Sequence, residues 1–137
     1  MIYAVIDTNV FVSAYMTHNL ESATSKVVRS LFDGKITLLY NEEIITEYQE
    51  VMSRPHLRIS LNERVELLDF IRQKGSLTER TKFDELFIDE EDRVFYEVSL
   101  SEEDSFLVTG NLKHFPADPR VVTPAQMLQI IEQQTNP

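Results

Sequence analysis

Short apolar runs alternate with longer amphipathic stretches along this chain. Four runs have the length and composition of buried strands, and a fifth, at 76–80, could add a short one; the others cover 2–6, 36–40, 105–110 and 120–123. Apolar residues recur at helical spacing between the runs, over 9–32, 41–54, 62–73, 90–100 and 124–133. The polar segment 17–25 predicts a break that divides the first stretch into two helices.

Cap and stop residues support these helices. Asn41 and Asp89 stand where N-caps are expected, Pro124 stands in a first turn, and Pro55 stops the helix before it. Val65 is among the apolar residues expected to face the core from the helix 62–73. Strands alternating with helices predict an α/β fold with a mainly parallel sheet covered on both faces. We expect a single domain over 1–137.

Composition removes several classes of function. The chain has no cysteine, which excludes disulfides, thiolate zinc sites and cysteine nucleophiles, and its three histidines are scattered. Three glycines are too few for a Walker or a dinucleotide-binding loop. No apolar run is long enough to span a bilayer, and no charged segment precedes the first run. We therefore expect a soluble cytoplasmic protein with no membrane partner.

The net charge is −10, from 23 acidic and 13 basic residues. Proteins that bind nucleic-acid phosphates usually carry an excess of basic residues, which this chain does not have. Two interpretations remain open at this point. The acidic residues could converge on divalent metal ions, or they could attract a basic protein partner.

Polar side chains follow the predicted strands where each strand ends. Asp7 follows the first strand, Thr109 and Asn111 follow the strand 105–110, and Asp92 lies in the first turn of the helix before it. Glu47 lies on the helix after the second strand, together with Glu42, Glu43 and Glu50. Ligands of open α/β sheets gather at the carboxyl ends of the strands. Three carboxylates from three elements could therefore meet at one edge.

Carboxylates that are packed together repel one another unless a cation lies between them. Oxygen ligands of this kind suit Mg²⁺ or Mn²⁺, which also reach phosphate oxygens. Such a site serves phosphodiester hydrolysis, in which one ion activates a water and a second can stabilise the leaving oxygen.

Four segments, "VIDTNV", "EEIITEYQEVMSRP", "DEEDRVFYEVSL" and "FLVTGNLKHF", together resemble the PIN-domain family in order and spacing. The resemblance is greatest to the branch of toxins in type II toxin–antitoxin modules. It implies a three-layer α/β/α sandwich and a Mg²⁺- or Mn²⁺-dependent endoribonuclease that hydrolyses RNA. It also implies a protein that is often a homodimer and is silenced by a cognate antitoxin protein.

The resemblance also implies roles for particular residues. Asp7, Glu47 and Asp92 match the acidic metal ligands, and Asn111 stands where many relatives carry a fourth acid. The catalytic set is then Asp7, Glu47, Asp92 and Asn111. Because an amide weakens a second metal site, Asn111 favours a one-metal mechanism. Supporting residues are Thr8, Asn9, Thr109 and Asp104, the last of which could supply part of the missing charge or cap a loop.

Each assignment has a purely structural alternative. Asp7 could cap the following helix, Glu47 could lie on a solvated helix face, and Asp92 could complement a helix dipole. Asn111 could serve a turn after Gly110. Lys113 and His114 could contact RNA phosphates or only solvent.

Two other functions stay open beside the nuclease. One is a PIN-like module without competent catalysis that binds RNA or protein. The other is a different Mg²⁺-dependent phosphohydrolase, although an aspartyl phosphatase usually carries a second Asp where this chain has Asn9.

Overall fold

The centre of the fold is a five-stranded parallel sheet. The computed structural model describes residues 1–135, so residues 136 and 137 of the predicted domain lie outside the described residues. The strands stand in the order β3-β2-β1-β4-β5, and every neighbouring pair is parallel. Their bounds are β1 Tyr3–Ile6, β2 Thr37–Tyr40, β3 Ser76–Leu77, β4 Phe106–Val108 and β5 Val121–Val122.

Helices cover both faces of this sheet. In residues 1–135 they are α1 Thr8–Met16, α2 Ala23–Phe32, α3 Glu42–Met52, α4 Leu61–Lys74, α5 Arg93–Leu100 and α6 Pro124–Thr135. Helix α5 packs against β1 and β4, α4 packs against β2, and α2 packs between α1 and α6. The predicted three-layer α/β/α sandwich with a parallel sheet is confirmed.

The central strand β1 is deeply buried in the sheet. Ala4, Val5 and Ile6 have no exposed surface, since β2 and β4 pair with both edges of β1 and helices cover both faces. Continuous apolar strands of this kind are typical of parallel sheets buried on both sides. The chain leaves this buried strand directly into Asp7, which brings a carboxylate to the edge of the core.

Both predicted ends of α3 are confirmed, and α4 begins with a further cap. The Asn41 side chain accepts a hydrogen bond from the Ile44 amide at 2.8 Å, and α3 ends at Met52, before Pro55. Ser60 and Glu63 form a reciprocal capping box at the start of α4. These local hydrogen bonds satisfy backbone donors that a helix start leaves unpaired.

Two expectations need correction. Val65 is 47% exposed, because it lies two residues before Leu67, roughly 200° around the helix axis from the buried face that Leu67 and Ile71 form. The helix predicted at 90–100 begins as a 3₁₀ turn, Glu90–Asp92, and becomes α-helical only at Arg93. Asp89 therefore caps the turn, with its side chain accepting from the Glu91 amide.

Among residues 1–135, no helix is both long enough and apolar enough to cross a membrane.

Candidate functional site

The carboxyl edge of the sheet brings Asp7 and Thr109 together. Strands β1 and β4 are neighbours with Ile6 opposite Val108, so the residues that follow each strand also meet. The Asp7 amide donates to the Val108 carbonyl oxygen at 2.9 Å. Thr109 Oγ1 donates to Asp7 Oδ2 at 2.8 Å, and both residues are buried. Backbone pairing in the sheet thus fixes the position of this carboxylate.

Asp7 occupies the N-cap position of α1, but its side chain makes no capping hydrogen bond. Burial raises the pKa of Asp7, while the hydrogen bond from Thr109 and the nearby amides of Thr8 and Asn9 lower it in part. A carboxylate that caps a helix is usually stabilised in its charged form. The raised pKa instead indicates a buried charge with incomplete compensation.

Glu47 reaches the same edge from α3. Thr8 Oγ1 donates to Glu47 Oε2 at 3.1 Å, which links the start of α1 to α3. The neighbouring residue Tyr48 is fully buried and donates its hydroxyl hydrogen to the Ile6 carbonyl oxygen, so α3 is held against the end of β1. Burial raises the pKa of Glu47 and Thr8 lowers it, while Glu91, Glu50 and Asp7 raise it further.

Asp92 lies at the junction between the 3₁₀ turn and α5. Its Oδ2 atom lies 3.3 Å from Nδ1 of His114, and its side chain makes no capping hydrogen bond. Burial, followed by the charges of Asp7 and Asp89, raises the pKa of Asp92 to about 6, although His114 lowers it. The charge of Asp7 therefore makes ionisation of Asp92 less favourable.

The three carboxylates come from different elements but interact electrostatically. The charge of Asp7 raises the pKa of both Glu47 and Asp92. Within the described residues, however, no three His, Asp or Glu side chains form a closed cluster that could hold a metal ion. The donor set nevertheless fits a hard divalent cation, because it consists of carboxylate oxygens whose mutual repulsion a cation would relieve.

Of the other predicted residues, Asn111 adjoins the site through its backbone, while two others are exposed. The backbone N–H of Asn111 donates to Thr109 Oγ1 at 3.0 Å, so the backbone of Asn111 adjoins the contact between Thr109 and Asp7. A 3₁₀ turn, Leu112–His114, follows Asn111. Asn9 and Lys113 are exposed.

The prediction of a supporting role for Asp104 needs correction. Asp104 precedes β4 and thus lies at the amino edge, opposite the carboxylates, where its φ of 64° places it in a left-handed turn. In a parallel sheet the two edges are separated by the length of the strands, so Asp104 cannot supply charge to the site.

Two titratable side chains have partners that the sequence did not predict. His114, expected to contact RNA phosphates or only solvent, faces Asp92 with its imidazole. Glu97 is a buried carboxylate in α5 that accepts from Arg80 Nε at 2.8 Å and from the Phe83 amide at 3.0 Å. Helical spacing could have predicted that Glu97 is buried, because Glu97 lies three residues after Val94 and therefore on the same face of the helix.

The fold and the site together define an α/β domain with an acidic centre at the carboxyl edge of its parallel sheet. The family model described as "PIN domain" matches residues 3–113, which include Asp7, Glu47, Asp92 and Asn111. The chain belongs to the PIN-domain family, as its motifs predicted. PIN domains are generally nucleases, and PIN nucleases typically use divalent metals. Neither a curated protein nor a solved structure matches the chain.

Proposed function

We propose that this chain is a metal-dependent endoribonuclease and that Asp7, Glu47 and Asp92 hold Mg²⁺ or Mn²⁺. The observation that carries this proposal is that Asp7 and Glu47 reach one edge of the sheet from β1 and α3, where Thr109 donates to Asp7 at 2.8 Å and Thr8 donates to Glu47 at 3.1 Å. Asp92 is close enough for the charge of Asp7 to raise its pKa. Carboxylates held close together and partly out of solvent repel one another unless a cation balances them. Membership of a nuclease family supports a nucleic-acid substrate.

When bound, a divalent ion polarises the scissile phosphate and lowers the pKa of an attacking water. The residues of the chain prepare the site for that chemistry. Thr109 orients Asp7, and Thr8 orients Glu47, through the hydrogen bonds described above. Groups that orient ligands contribute strongly to metal sites even though they do not touch the metal. Asn111 would position the ion or the attacking water with its amide.

The biological setting is proposed on the resemblance of the motifs to toxins of type II toxin–antitoxin modules. In that setting the protein cleaves RNA in the cytoplasm, often as a homodimer, and a cognate antitoxin inhibits it. The net charge of −10 supports this part of the proposal, since a basic antitoxin segment would be attracted to the acidic edge.

The test is cleavage of single-stranded and structured RNA with Mg²⁺ or Mn²⁺, beside an EDTA control and the Asp7→Asn variant. We expect metal-dependent cutting that both controls abolish. Asp104→Asn is a matched substitution at the opposite edge and should cut like the wild type. Cutting by Asp7→Asn at the wild-type rate would refute the proposed site.

A thermal melt with Mn²⁺ separates loss of catalysis from loss of metal. Ligands that bind only the folded state raise its melting temperature. A Mn²⁺-dependent rise without cleavage of any RNA would favour the module that binds RNA or protein without catalysis.

A further inference from the structure

The carboxylate of Asp92 has a single polar partner among residues 1–135. The Nδ1 atom of His114 lies 3.3 Å from Asp92 Oδ2. No other hydrogen bond or ion pair in this part of the chain involves the Asp92 side chain, which makes no capping bond at the start of α5. His114 therefore engages one oxygen of the carboxylate and leaves the other, Oδ1, without a protein donor.

The backbone around His114 is held on both sides. The Asn111 N–H donates to Thr109 Oγ1 at 3.0 Å, and the His114 N–H donates to the Asn111 carbonyl oxygen at 3.2 Å. The next residue, Phe115, is buried, and its ring packs edge-on against Phe87 at a centroid distance of 6.0 Å. The imidazole thus extends from an anchored turn, even though the His114 side chain is 43% exposed.

The backbone of Asp92 is held as well. Its N–H donates to the Asp89 carbonyl oxygen at 3.0 Å. The neighbouring residue Arg93 donates to the carbonyl oxygens of Phe83 and Glu85, the second at 2.8 Å. Rotation of the Asp92 side chain is therefore the main freedom that remains, and the contact with His114 restricts that rotation.

A fixed donor matters at this position because like charges act on Asp92. The charges of Asp7 and Asp89 disfavour its ionised form, and this repulsion opposes an arrangement in which Asp92 and Asp7 face one ion. The charge of His114 acts on Asp7 as well as on Asp92, with the opposite sign. The imidazole therefore belongs to the same electrostatic site as both carboxylates.

We propose that His114 is a positioning residue, which holds Asp92 by Oδ2 so that Oδ1 stays available to the metal ion. This inference rests on the proposed function, because it needs the proposed metal site. The imidazolium and the neutral ring with its hydrogen on Nδ1 both donate from this atom, so the role requires no change of protonation. His114 then serves Asp92 as the threonine hydroxyls serve Asp7 and Glu47.

The test is the affinity for Mn²⁺, measured by electron paramagnetic resonance without RNA. His114→Ala removes the donor, and His114→Gln moves the donor nitrogen toward the position of Nε2. His114→Asn keeps an amide nitrogen near the position of Nδ1. We expect the first two variants to lose roughly 10- to 100-fold in Mn²⁺ affinity, the usual effect of removing a group that orients a ligand. His114→Asn should recover most of the affinity.

Lys113→Ala is the matched control, since it removes an exposed positive charge from the residue next to His114. It should bind Mn²⁺ like the wild type. Urea denaturation in EDTA checks that each variant folds. The comparison of His114→Asn with His114→Gln carries the test without His114→Ala if the alanine variant does not fold.

The direction of the effect separates this role from competition. Tighter Mn²⁺ binding by His114→Ala or His114→Gln would overturn the inference, because it would mean that the imidazole competes with the ion for Asp92. Unchanged affinity in these variants would also overturn it. An equal loss in His114→Asn and His114→Gln would assign His114 to packing of the turn and would reject the role of Nδ1.

The wild type and Asp7→Asn separate the inference from the proposed function. Mn²⁺-dependent RNA cutting with no effect of the His114 variants on Mn²⁺ affinity would leave the nuclease standing and remove the positioning role. Mn²⁺ binding that Asp7→Asn abolishes and His114→Asn preserves, without cutting of RNA, would keep the positioning role and remove the nuclease. Folded wild-type protein that binds no Mn²⁺ would refute both.

Discussion

Thr109 and Asp7 are 102 residues apart in sequence, yet the Thr109 hydroxyl donates to Asp7 Oδ2 at 2.8 Å in the buried end of the sheet. This single hydrogen bond lowers the pKa of Asp7, but burial outweighs it and leaves the pKa raised. The carboxylate is thus oriented without being fully stabilised. Sites that trade stability for function commonly show this combination.

Asp7→Asn should therefore stabilise the protein in the absence of metal. The amide has nearly the same shape, its oxygen can still accept from Thr109, and no charge is left in the buried site. We expect a gain of roughly 0.5–2 kcal/mol in the free energy of unfolding, measured by urea denaturation in EDTA at pH 7. Asp104→Asn, at the exposed opposite edge, should change little. A marked loss of stability in Asp7→Asn would mean that the ionised carboxylate holds the fold together.

Thr8→Val should impair cleavage while leaving the fold intact. Valine has nearly the same volume as threonine but lacks the hydroxyl that donates to Glu47 Oε2. Because that bond lowers the pKa of Glu47, its loss should raise the pKa and free the side chain. We expect roughly a 10- to 100-fold loss of metal affinity or activity, the usual effect of removing a group that orients a ligand. Thr8→Ser keeps the donor and should recover most of the activity.

Asp92 should make the metal-free protein less stable as the pH rises. Its folded pKa of about 6 exceeds the usual pKa of about 4 in an unfolded chain, so the folded state binds the extra proton between these values. The contribution of Asp92 to stability is thus present below about pH 4 and is lost as the pH rises through 6.

Denaturation of Asp92→Asn and of the wild type across pH 4–7 in EDTA checks this sign. The variant should be the more stable protein at pH 7, and the difference should disappear near pH 4. A difference that stays constant over this range would contradict the raised pKa.

Glu97 should anchor the segment between β3 and α5. The carboxylate accepts from Arg80 and from the Phe83 amide, and it is buried, so Glu97→Ala would leave both donors without this partner. We expect a loss of about 1–3 kcal/mol in the free energy of unfolding and faster amide exchange at Phe83. Glu43→Ala removes the other, exposed partner of Arg80 and should cost less than about 1 kcal/mol. Equal losses of unfolding free energy in the two variants would show that the burial of Glu97 does not add to the stability of the protein.

Local sequence pattern was sufficient to predict the order of strands and helices, the α/β class and the family. Every predicted strand is present in the sheet, because an apolar run that is bounded by polar residues allows few other structures in a parallel α/β fold. The ends were predicted less well, as the shorter strands and the 3₁₀ start before α5 show. Strand ends depend on the neighbouring strand, which a local pattern does not contain.

Only the tertiary structure decided which of the candidate polar residues make contact. Asp7 and Thr109 meet because β1 and β4 are neighbours, and Asp104 is excluded because it precedes the same strand that Thr109 follows. The contact of His114 with Asp92 likewise depends on how distant segments pack. Desolvation and Coulomb interactions act through space, so the pKa values that characterise this site arise only when the chain has folded.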